Sequence, residues 1–215
     1  MRRILPDIAA SLSLLCLTGA GQPAPQRLYQ AYGAEEKAAL DKISAYLNSI
    51  RTLKSEFVQI APNGNADQGE LYIEKPGRIR FEFRKPSPLL IVSTGGRLYV
   101  QNTRLNTVDN YDLSDTPLGI LLNEKIDLAH NKSVIGVSEQ NGAILVQART
   151  STNRNRSNIT LVFSSPELEL RQWTVKDNQG GITTVALQSP QSGGTLDETL
   201  FTAPVKAPSK VTQRN

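Results

Sequence analysis

The stretch 69–83, GELYIEKPGRIRFEF, restricts what this chain can fold into more than any other. At a period of two, Leu71, Ile73 and Lys75 point one way while Glu70, Tyr72 and Glu74 point the other. After the Pro76-Gly77 corner the alternation resumes, with Ile79, Phe81 and Phe83 against Arg78, Arg80, Glu82 and Arg84. This is the pattern of antiparallel strands with one apolar and one charged face. Lys75 breaks it. A charged group on the apolar face is costly unless it finds partners, so the apolar side is expected to hold something as well as to pack.

The same period recurs downstream. Runs at 53–60, 89–93, 97–101, 107–113, 134–139, 143–148, 158–163, 170–176 and 182–188 alternate between turn residues, and 196–200 is expected to end the series. Gly95-Gly96 and Gln140-Asn141-Gly142 make tight hairpins. Roughly ten strands in a row with short links predict one large antiparallel sheet, strongly curved or partly closed. Two helices interrupt it. Over 35–49, Leu40, Ile43, Leu47 and Ile50 form an apolar stripe, with Lys37, Asp41, Lys42 and Asn48 elsewhere on the wheel. At 114–117, Ser-Asp-Thr-Pro reads as a helix start, followed by Leu118, Gly119, Ile120, Leu121 and Leu122. A helix so short and so apolar has to cover apolar material.

Before the sheet, residues 1–20 read as a signal peptide: Arg2-Arg3, an apolar run and small residues at 18–20. Cys16 is the one cysteine, so a chain cut near Ala20 carries no thiol for a disulfide, nucleophile or metal site. Residues 21–33 are expected to be a flexible lead-in, 34–205 a single domain and 206–215 a mobile tail. The formal net charge of +4 is a solvated surface and not a nucleic-acid footprint, because no basic cluster interleaves with aromatics. The basic tip 149–156, RTSTNRNR, reads as a solvated loop or as a patch for an acidic surface. His130 is the only histidine and lies in a polar loop. With no base to pair with a nucleophile, no enzyme is expected, and neither a cofactor nor a metal.

The run Gly69-Glu70-Leu71-Tyr72-Ile73-Glu74-Lys75-Pro76, then Arg78 to Phe83, resembles the opening strands of the periplasmic outer-membrane lipoprotein carriers. The resemblance continues over 90–100, Thr116-Pro117-Leu118 and Leu170-Arg171-Gln172-Trp173-Thr174-Val175. It implies a mainly β fold with a few helices: a half-open antiparallel β-barrel with a helical lid over an apolar cavity. It implies a carrier that takes acylated lipoproteins from an inner-membrane lipoprotein-releasing transporter to an outer-membrane acceptor, acting as a monomer in the periplasm. A lipid- or lipoprotein-sensing regulatory module on the same fold is the alternative. The expected cavity residues are Leu71, Ile73, Ile79, Phe81, Phe83, Leu118, Ile120, Leu121 and Trp173. Family members have an arginine before the proline that holds the lid through backbone carbonyls. Here Lys75 stands in its place, expected to reach the last carbonyls of the short helix without a bidentate fork.

Overall fold

The computed structural model describes residues 32–151 and 156–206. The expected signal peptide, most of the lead-in, the tip of the basic loop and nearly all of the tail lie outside them. The eleven strands described form one antiparallel sheet. They are β1 (Thr52–Ile60), β2 (Ala66–Glu74), β3 (Arg78–Phe83), β4 (Leu89–Thr94), β5 (Arg97–Asn102), β6 (Thr107–Asp112), β7 (Val134–Gln140), β8 (Ala143–Ser151), β9 (Arg156–Ser164), β10 (Leu170–Lys176) and β11 (Ile182–Ser192). The spatial order is β6-β5-β4-β3-β2-β1-β11-β10-β9-β8-β7. Hairpins build each half, and β1 joins them by pairing with both β2 and β11. Because β6 and β7 end the order at opposite edges, the barrel stays open.

That topology forces one long crossing. β6 and β7 are consecutive in sequence but lie at opposite edges, so residues 113–133 must span the concave side. This strap contributes Leu113, Leu121, Leu122, Ile126 and Leu128 to the core. It contains a 3₁₀ turn, Leu113–Asp115, and one short helix, α2 (Gly119–Leu122). The helix α1 (Ala34–Ser49) lies beside it, burying Leu40, Ile43, Ser44 and Leu47. Strap and α1 together cover the inner face.

The register in the opening strands is the expected one. Leu71 pairs with Phe81 and Ile73 with Ile79, all buried, while Tyr72 faces Arg80 on the outside. Outward charge pairs offset the direct opposition of Glu70 and Glu82. Arg80 holds Glu82 at 2.9 Å, Lys54 approaches Glu70 at 3.6 Å, and the Tyr72 hydroxyl donates to Glu70. Burial, with the bond to Glu70 next, pushes the Tyr72 phenol up to about 12. The same bond, ahead of smaller contributions from Lys54, holds the Glu70 carboxyl below its usual range.

Two expectations are corrected. Residues 196–200 do not form a strand. Asp197 caps a 3₁₀ turn, Glu198–Phe201, by accepting from the Thr199 amide at 2.8 Å. This turn packs on the outer face, where Phe201 is buried beneath the Arg78 guanidinium and the Leu200 carbonyl accepts from Arg80 at 3.1 Å. Ahead of α1, the Tyr32 hydroxyl donates to the Val134 carbonyl on β7 at 2.9 Å. Finally, the strap helix starts later than Ser114-Asp115-Thr116-Pro117 suggested. The Thr116 hydroxyl turns back to the Leu113 carbonyl at 2.8 Å, and α2 has no side-chain cap.

Candidate functional site

The candidate site is the apolar interior between the concave sheet and its two covers. Period-two alternation sends Leu71, Ile73, Ile79, Phe81 and Phe83 into it from β2 and β3, and Trp173 from β10. All six are buried and belong to one cluster with Leu121 of α2; Leu118 and Ile120 are half-buried against it. The structure thus brings every expected cavity residue to the same interior. Phe81 meets Phe57 edge-on at 5.4 Å between ring centres and Trp173 at 6.1 Å, and Phe57 meets Phe83 at 5.1 Å. These lining side chains also pack on one another edge to edge.

Phe57 is the aromatic hub that the expected set lacks. Its signal was present in the alternation of Leu53, Ser55 and Phe57 along β1. Gly69 owes its place to it. A Cβ there would run into the Glu82 carbonyl oxygen and come within 2.7 Å of the Phe57 ring. Only a residue without a side chain lets β3 and Phe57 close over this position.

Lys75 is buried, and its ammonium donates to the Leu47 carbonyl at the end of α1. The expected target was α2, and this is corrected. The last carbonyl of α2, Leu122, accepts instead from the Gly77 amide at 2.8 Å. Gly77 holds φ +75°, a left-handed conformation that glycine adopts without strain. One sheet corner therefore secures both covers: α1 through a side chain and α2 through the backbone. Ser93 braces it, donating to the Gly77 carbonyl at 2.8 Å. A cation at a helix C-terminus is favoured. Burial nevertheless pulls the Lys75 pKa down, with the nearby Arg51 charge adding to the effect. The ammonium gives up hydration to make this bond to α1.

Polar residues on the covers complete the attachment. The Ser44 hydroxyl donates to Leu40 within α1 at 2.7 Å and accepts from the Leu128 amide of the strap at 2.9 Å. Asn48 exchanges two bonds with the Ile126 backbone, at 2.8 and 2.9 Å. The Tyr46 hydroxyl accepts from the Leu170 amide at 3.0 Å. Asn48 was expected off the contact face. Its spacing of four from Ser44 and eight from Leu40 was the signal for a polar seam beside the apolar stripe.

Residues 48–204 match the family described as outer membrane lipoprotein carrier protein LolA. An outer-membrane lipoprotein carrier protein of Methylococcus capsulatus is 25% identical over 175 residues, covering 77% of this chain and 83% of its own. One of Dechloromonas aromatica is 27% identical over 173 residues, covering 76% and 82%. Among solved structures, a putative outer membrane lipoprotein-sorting protein domain from Vibrio parahaemolyticus is 9% identical with a TM-score of 0.46, covering 78% of this chain and 96% of its own.

Proposed function

Because this chain belongs to the outer membrane lipoprotein carrier family, we propose that it is a periplasmic carrier that shields the acyl chains of lipoproteins between two membranes. The observation that carries this reading is the pairing of a continuous apolar interior with two covers held to the sheet corner by few polar bonds. Burying an acyl chain is worth about 0.8 kcal/mol per methylene, but the membrane that the chain leaves offers the same gain. A carrier therefore needs a cheap way of opening more than a deep well.

In this reading, acyl chains enter by displacing α1 and the strap from the concave face. They substitute their own contacts for those that Leu47, Leu121 and Leu122 make with the interior. Lys75 is the latch. Its single bond to the Leu47 carbonyl keeps α1 closed without making the closed form hard to leave. An inner-membrane lipoprotein-releasing transporter would load the protein, and an outer-membrane acceptor would unload it.

Transfer of a fluorescent diacylated lipopeptide from donor to acceptor vesicles tests this. Catalytic amounts of the chain should speed transfer well above the spontaneous rate. Transfer no faster than in its absence would contradict the carrier reading.

A further inference from the structure

The sheet has two edges, and they are guarded unequally. β6 carries Asp109 and Asp112, and the Arg97 guanidinium bonds Asn110 at 3.1 Å and Asp112 at 2.8 Å. Charges of this kind keep an edge from pairing with another strand. β7, with the sequence VIGVSEQ, has no lysine, no proline and a single charged side chain, Glu139. Among the described residues no strand pairs with its far side, and 135–140 make no backbone bond except to β8. Ile135 is exposed there. Such an edge is a template for one more strand. The chain itself arrives at it. Tyr32, whose hydroxyl donates to the Val134 carbonyl at the start of β7, is half-buried against the core and leads through Gly33 into α1. The residues just ahead, 21–31, lie outside those described. In them Pro25 is followed by six residues without proline or glycine, Gln26-Arg27-Leu28-Tyr29-Gln30-Ala31.

We propose that residues 26–31 add to the open edge of β7 as an antiparallel strand and close it. The direction follows from the anchor: a segment that precedes Tyr32, and ends with it beside Val134, runs against β7. Six residues span about 20 Å, enough to cover 135–139. Continued from Tyr32 beside Val134, that register sets Ala31 beside Ile135 and Arg27 beside Glu139, so the one carboxylate of β7 meets a cation. Pro25 lacks the donor that a further rung would use, and it ends the pairing. The added strand holds the start of α1 at this edge, as Lys75 holds its end at the opposite corner. None of this depends on what the interior carries.

Amide hydrogen exchange tests this on the full chain without its signal peptide and on one that also lacks residues 21–30. In the longer chain the edge-facing amides of 135–139 should exchange about tenfold more slowly than in the shorter one. Equal protection of β2 and β3 in both is the control for folding. Successive N–H groups of a strand point to opposite sides, so one of Leu28→Pro and Tyr29→Pro removes a donor to β7. That variant should exchange at 135–139 as fast as the shorter chain. Equal exchange with and without 21–30 in a monomer would overturn the proposal, and so would full protection in both proline variants. Protection that grows with protein concentration, together with a dimer in sedimentation, would also overturn it and assign the edge to a second copy of this chain.

Discussion

At the scale of single residues, Gly69 and Lys75 show how the interior constrains the sequence. Gly69 sits on the inward row of β2, where the Phe57 ring and the β3 backbone leave no room for a methyl group. Gly69→Ala is expected to destabilise the fold by about 1–3 kcal/mol through overpacking, read as a lower urea midpoint at unchanged slope. Lys75 makes a pH prediction. Its folded pKa lies below the ordinary 10.5, so between the two values the unfolded chain binds more protons than the folded one, and stability rises with pH in that window. Comparison with Lys75→Met isolates the effect. As pH is raised toward 10.5, the melting temperature of the unaltered chain should gain on that of the variant. A difference that stays flat, or moves the other way, would mean that burial does not dominate at Lys75.

At the scale of elements, α1 and the strap act as one cover because their bonds to each other are as specific as their bonds to the sheet. Ser44→Ala removes the acceptor of the buried Leu128 amide. An orphaned buried donor costs about 1–3 kcal/mol, so amide hydrogen exchange at residues 126–128 should quicken by about tenfold or more, while β2 and β3 stay protected. Lys75→Arg, whose planar fork holds carbonyls better than an ammonium, is expected to slow unloading to acceptor vesicles without impairing loading. The strands were legible in the sequence because a period of two survives wherever one face is buried, as Leu71, Ile73, Ile79 and Phe81 show. The covers were legible only in outline. The stripe of α1 was plain, but Ser44 and Asn48 bond a segment about 80 residues away, and no local pattern encodes such a partner. The Ser114-Asp115-Thr116-Pro117 cap signal misled because the Thr116 hydroxyl donates back to the Leu113 carbonyl and accepts no amide of α2, which begins three residues later. The target of Lys75 was missed because Leu47 lies 28 residues away in the sequence, and no local pattern links the two.

At the scale of the whole molecule, the open sheet, its crossing strap and α1 make a container whose apolar inner face is covered on the concave side. If the interior takes up a guest as proposed, contacts among Phe57, Phe81 and Trp173 give way to contacts with that guest in the middle of the sheet. Outward changes should matter little by comparison: Glu82→Lys removes an exposed pair with Arg80 and should shift stability by no more than about 1 kcal/mol. Trp173 supplies the direct test, since it is the only tryptophan in the chain and is buried against Phe81. A diacylated lipopeptide with bromine near the middle of its acyl chains quenches indole fluorescence only at close range. If the interior takes up acyl chains, this lipopeptide should quench Trp173 in a saturable, one-to-one titration, and a lipopeptide brominated on its peptide part should not. Saturable binding without quenching by the chain-brominated ligand would place the cargo outside the sheet's concave interior and contradict the account.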